Sequence, residues 1–222
     1  MIISDSKKFI FIHIYKTAGT SVAATLIKHA NFMQRVSEDV FVTKKIFSAL
    51  NLILGKVNIT RQWGTGLGNK HASANDIREF MGSDKYDDYF KFAFVRNSWD
   101  WQVSLYNYLK TRKSDKNYGK VSKMSFKQFL ISEIDGNAPC QLDFLTNPSG
   151  DIIVDRIGRF ESLESDLNLI LKDIGIGGID DLPCLNVSRV DRKSYQSFYD
   201  EESYELVKNY FKRDIDYFGY EF

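Results

Sequence analysis

The chain has 222 residues, 43% hydrophobic and 14% aromatic, which suits one compact α/β domain and excludes a disordered or low-complexity chain. Thirty Lys and Arg against 29 Asp and Glu leave a net charge of +1, so no molecule-wide field favours nucleic acid or a membrane surface, although a local basic cleft is allowed. Two cysteines, Cys140 and Cys184, make neither a disulfide framework nor a zinc spacing and fit reduced thiols, and no apolar run is long enough for a signal peptide or membrane span, so the expected location is the cytoplasm.

In chain order, Phe9 to Ile14 is a β-branched and aromatic run typical of a strand buried on both faces. KTAGTS follows, then a helical pattern with Val22, Leu26 and Ile27 inward. Residues 32–63 form an excursion with an amphipathic helix around Lys44 to Leu54, ending in the Gly-rich turn WGTGLGNKH. A helix is expected from Ser73 to Met81, capped by Ser73 or Asn75. Phe90 to Val95 is a second buried strand, running into the helical segment RNSWDWQVSLYNYLK, whose Trp99, Trp101, Tyr106 and Tyr108 read as core and wall. Arg112 to Lys123 reads as a basic, solvated, mobile loop, Phe126 to Ile134 as a short helix, and Ile152 to Phe160 as a strand or strand-turn. Helix Leu163 to Ile174 ends at Gly175, and a last helix spans Glu201 to Arg213 before the aromatic tail DYFGYEF. The glycines at 64–68 and 175–178 read as turns, since neither group follows a strand and opens a helix.

The two strand-to-helix junctions are where chemistry is expected, because parallel sheets bind ligands off the carboxyl ends of their strands. At the first, Gly19 lets the backbone turn closely, the first-turn amides and helix dipole favour an anion, and Lys16, Thr20 and Ser21 add a charge and hydroxyls. The lysine precedes the glycine, so this is not a Walker A loop and a magnesium-dependent nucleotide hydrolase is disfavoured. At the second, Arg96 at a strand end and Ser104 in the helix can clamp a second phosphate.

Together these segments resemble the P-loop-like sulfotransferases that use 3′-phosphoadenosine 5′-phosphosulfate. HIYKTAGTS is similar to their H-I-P-K-T-G-G-T-S loop and RNSWDWQVSLYNY to their R-[DN]-P-x-x-R-x-x-S-x-Y segment; RFESL and the C-terminal aromatic pattern look like the carbohydrate branch. Tyr15 and Ala18 stand in place of a proline and a glycine of the loop, and Ser98 and Trp101 in place of a proline and an arginine. The resemblance implies a P-loop NTPase-like three-layer α/β/α domain over residues 1–222 with a central, mainly parallel sheet and variable acceptor-side segments at about 32–69 and 112–150. It implies that Lys16, Thr17, Ala18, Gly19, Thr20 and Ser21 cradle the 5′-phosphosulfate and that Arg96 and Ser104 hold the 3′-phosphate; where the chain departs from the pattern, Arg189, Arg192 or Lys193 is the candidate replacement for the absent second arginine. Lys16 would neutralise the leaving bisphosphate. His71 resembles the histidine of the G-H-x-S stretch in uronyl 2-O-sulfotransferases and is the candidate base, a neutral imidazole being suited to that task near neutral pH.

Glu79, Asp100 or Glu161 are alternatives as base, His13 reads as a structural group beside the loop, and His29 as surface. No metal-ligand cluster is legible, so transfer to a hydroxyl acceptor, a glycan or glycoconjugate by resemblance, is expected to need no metal. The competing readings are a P-loop kinase-like phosphotransferase, which lacks its loop and magnesium-binding aspartate here, and a non-catalytic nucleotide or glycan binder.

Overall fold

The computed structural model describes residues 1–30, 71–178 and 194–222. Its strands are β1 (Ile2–Ser4), β2 (Phe9–Ile12), β3 (Phe90–Val95) and β4 (Arg156–Arg159), joined in that order in one sheet. β1 runs antiparallel to β2, while β2–β3 and β3–β4 are parallel. The carboxyl ends of β2, β3 and β4 therefore share one edge of a mixed α/β architecture with a mostly parallel sheet.

The helices are α1 (Gly19–Leu26), α2 (Ala74–Met81), α3 (Ser83–Asp87), α4 (Ser98–Thr111), α5 (Tyr118–Val121), α6 (Phe126–Asp135), α7 (Leu163–Asp173), α8 (Glu201–Tyr210) and α9 (Lys212–Phe218). Local chemistry starts several of them. Ser73, Ser125 and Asp200 each form a reciprocal capping box with the residue three positions on, and the Asn97 side chain accepts from the amides of Trp99 and Asp100 at the head of α4.

Alternation within β2 and β3 gives the sheet two apolar faces. Phe9, Phe11, Phe92 and Phe94 pack with Val22 and Leu26 of α1 and with Leu167, Ile170 and Leu171 of α7. Ile10, Ile12, Ala93 and Val95 pack with Ile77 of α2, Trp101 and Leu105 of α4, Phe129 of α6 and Val207 of α8. Phe9, Ile10, Phe11 and Ile12 are fully buried, each worth about 1.5–3 kcal/mol of transfer free energy.

Some expectations need correction. β1 and α3 were not legible, being three and five residues long. Of the run 152–160 only Arg156–Arg159 joins the sheet, with Ile152 in an isolated bridge to Thr146. The segment 112–123 contains α5, whose Val121 is buried, so it is not simply a solvated loop. The last helix breaks at Phe211, and its continuation α9 takes in the first three of the seven residues of the aromatic tail. His29 is half-buried rather than on the surface, and burial lowers its pKa. The expected helix at 44–54, the glycines at 64–68 and Cys184 lie outside the described residues.

Candidate active site

After β2 the chain stays buried through His13 and Ile14, then turns through residues 15–18 into α1. Two non-glycine residues in that turn are left-handed, Lys16 at φ +64° and Ala18 at φ +61°. Left-handed residues in a turn can bring successive amides to one concave side, the geometry of an anion-binding nest at a helix start. The Ala18 carbonyl accepts from the amides of Ser21 and Val22, at 2.9 and 3.2 Å, and closes the first turn. Thr17 is buried, and its hydroxyl donates to the Ile14 carbonyl at 2.8 Å, so that side chain holds the loop rather than facing outward.

Gly19 has a different role from the one expected. It has no positive φ; instead, a Cβ built on it would lie 1.8 Å from the His13 imidazole. The glycine is required because the His13 ring occupies the space of its side chain.

At the end of β3, Arg96 is buried, 5% exposed, and turned back into the protein. Its Nε and Nη2 donate to one carboxylate oxygen of Asp100, at 2.8 and 2.7 Å, and its Nη1 donates to the Lys16 carbonyl at 3.0 Å. The guanidinium also covers the Phe160 ring at 3.9 Å. One side chain thus ties the two strand-to-helix junctions together. Ser104, eight residues on, is buried along the same stripe of α4 as Asp100.

Trp101, where the resembled pattern has an arginine, is fully buried. Its indole N–H donates to the Tyr15 carbonyl at 2.6 Å, and its ring stacks on Tyr15 at 4.8 Å. Two of the four departures from the pattern, Tyr15 and Trp101, pack against each other and anchor the loop.

Lys16 lies half-buried with its ammonium 4.3 Å above the Tyr108 ring, and Arg112 approaches the same ring at 5.2 Å. Burial first, then the positive charges of Arg96 and Arg112, lower its pKa from 10.5 to about 8. Arg96 pairs with Asp100, and Lys16 and Arg112 bring two further positive charges to the same place, where an anion would be attracted.

His71, just ahead of α2, sits on the same loop. Its Nδ1 lies 2.8 Å from the His13 carbonyl, and its ring meets those of His13 and Tyr15 edge-on at 4.6 and 5.9 Å. A carbonyl can only accept, so Nδ1 carries the proton and the neutral ring has its lone pair on Nε2, the tautomer of a general base. The alternative acids are engaged elsewhere. Asp100 holds Arg96, Glu161 accepts from the Asn97 amide and pairs with the Tyr220 hydroxyl, and Glu79 accepts from Asn75 on an exposed helix face.

Tyr108, expected as a wall residue, lies under Lys16, while sequence reasoning missed the supporting roles of Arg112, Gln141 and Asp214 and the Arg96–Asp100 ion pair, for which the R-x-x-x-D spacing was an available signal. Arg189, Arg192 and Lys193 lie outside the described residues.

The model of the sulfotransferase family matches residues 1–221. The chain belongs to the sulfotransferase family. An uncharacterized protein of Archaeoglobus fulgidus is 39% identical over 103 residues, 45% of this chain and 79% of that relative. No solved structure matches. Among the described residues no helix of this sulfotransferase-family chain is long and apolar enough to cross a membrane.

Proposed function

We propose that this single-domain protein, with a P-loop-like three-layer arrangement, transfers a sulfuryl group from 3′-phosphoadenosine 5′-phosphosulfate to a hydroxyl of a carbohydrate acceptor without a metal ion. The observation that carries the reading is that, past the end of β2, Lys16 is set over Tyr108 while His71 has its Nδ1 2.8 Å from the His13 carbonyl and its ring edge-on to Tyr15. Membership of the sulfotransferase family supports the reaction class.

The chain's residues fit such a donor. The left-handed turn at 16–18 and the head of α1 suit its 5′-phosphosulfate, with Thr20 and Ser21 as hydroxyl donors. The Lys16 ammonium, partly desolvated, gains a counter-charge when the donor enters and returns toward its ordinary pKa. Arg96 and Ser104 are assigned to the 3′-phosphate, a guanidinium fork being able to serve several acceptors at once. The bound donor supplies an activated S–O bond. His71 Nε2 takes the proton from the acceptor hydroxyl as the new O–S bond forms, and Lys16 neutralises the oxygen released as the old S–O bond breaks.

Calorimetric titration of adenosine 3′,5′-bisphosphate without metal, with ATP-magnesium as comparator, tests the donor site: metal-independent binding that weakens with salt supports it, and preference for ATP-magnesium overturns it. His71→Asn, which keeps a donor for the His13 carbonyl but no base, is expected to lower kcat by about 100-fold or more while leaving bisphosphate affinity within about twofold. Wild-type turnover in that variant would move the base elsewhere.

A further inference from the structure

The backbone of Arg96 leaves the sheet just past the last residue of β3. Its amide and carbonyl are instead paired by one side chain: Arg96 N donates to Gln141 Oε1 and Gln141 Nε2 donates to the Arg96 carbonyl, both at 2.8 Å. Gln141 is fully buried and serves as a one-residue substitute for a neighbouring strand. It is itself held. Its amide donates to one oxygen of Asp214 at 2.6 Å, and the Leu142 amide donates to the other at 3.0 Å.

Asp214, on α9, is fully buried. A continuous chain of hydrogen bonds therefore runs from the C-terminal helix through Asp214, Gln141 and Arg96 to Asp100 and the Lys16 carbonyl. Fixing both backbone groups of Arg96 fixes where its side chain starts, and Asp100 then fixes where the fork ends.

We propose that Gln141, held by Asp214, is a positioning residue of the donor site: it sets the direction of the Arg96 guanidinium and so the recognition of the 3′-phosphate. This rests on the donor reading above. Gln141 touches no reacting atom, and its effect travels through the Arg96 backbone.

The test uses two probes on the full chain, adenosine 3′,5′-bisphosphate and adenosine 5′-phosphate, titrated into wild type, Gln141→Met, Gln141→Glu, Arg96→Ala and the double variant Arg96→Ala/Gln141→Met. Gln141→Met is expected to weaken bisphosphate binding about tenfold or more, the scale set by two lost buried hydrogen bonds, and monophosphate binding less than about twofold. Gln141→Glu, which still accepts from the Arg96 amide, should fall between wild type and Gln141→Met, and gives a second readout if the methionine variant does not fold. In the Arg96→Ala background, Gln141→Met should add nothing to the loss of 3′-phosphate discrimination. Equal losses for both probes, or a loss additive with Arg96→Ala, would overturn the positioning role while leaving the donor reading intact. A wild type that does not prefer the bisphosphate would instead overturn the donor reading and this inference with it.

Discussion

Lys16 carries two demands at the scale of a single residue. Its ammonium is set over Tyr108, in a part-buried site beside Arg96 and Arg112, where burial and like charge hold its pKa near 8 instead of 10.5. Because its pKa is lower in the folded chain, the native state binds fewer protons than the unfolded state between about 8 and 10.5. The group's unfavourable contribution is therefore complete below about 8 and fades as pH rises toward 10.5. Lys16→Met removes the misplaced charge and keeps the apolar stem. It is expected to raise Tm by about 2–4 °C in a thermal melt while lowering transfer by about 100-fold or more, the trade expected of a residue kept for chemistry. Bisphosphate affinity in the wild type should fall as pH rises past about 8, where Lys16 of the ligand-free protein loses its proton, and that pH dependence should be absent from the variant. A variant less stable than wild type would show that Lys16 is retained for packing.

At the scale of elements, the β2–α1 junction is shaped by a contact no local pattern announces. His13 and Gly19 share one space, the imidazole lying where a Cβ would stand. Gly19→Ala is expected to destabilise the fold by about 2 kcal/mol or more in urea titration, since an overpacked site must shift backbone or ring. Adding His13→Ala should recover most of that loss, because the alanine at 13 vacates the collision. Failure of the second substitution to recover stability would place the requirement for glycine elsewhere. The same junction shows what was legible. The head of α2 was readable at Ser73 because a cap acts on an amide only three positions on, and β2 and β3 were readable from their apolar runs. β1 and α3 were too short to show a period, and the break at Phe211 has neither proline nor glycine to mark it. Thr17, Gly19 and Trp101 were each noticed in the sequence, yet their bonds to Ile14, His13 and Tyr15 were not deducible from spacing.

Across the whole molecule, Asp214 links the C-terminal helix to the donor side of the sheet. Burial pushes its pKa from 3.8 up to about 6, despite two backbone amides that pull the other way. A carboxyl whose pKa is raised on folding binds more protons in the native than in the unfolded state between those values. Stability from this group is therefore present below about pH 4 and is lost as pH rises to about 6, a loss of about 2–3 kcal/mol. Urea unfolding at pH 4.5 and 6.5 measures it. The wild type should lose more stability over that interval than Asp214→Asn, whose amide does not titrate, and equal pH slopes for the two would remove Asp214 as the cause.

The sequence by itself determined the local features: the buried strands, the capped helices, the two strand-to-helix junctions and the cations they carry. Each rests on interactions between residues a few positions apart, so each leaves a pattern in the chain. Tertiary structure alone decided which groups meet at those junctions. His71 reaches the His13 carbonyl across 58 positions, Gln141 the Arg96 backbone across 45, Asp214 the Gln141 amide across 73, and Trp101 the Tyr15 carbonyl across 86. Such pairs depend on strand register and on which helix covers which face of the sheet. Both are settled by burying the whole apolar surface at once, and no short stretch of residues encodes them.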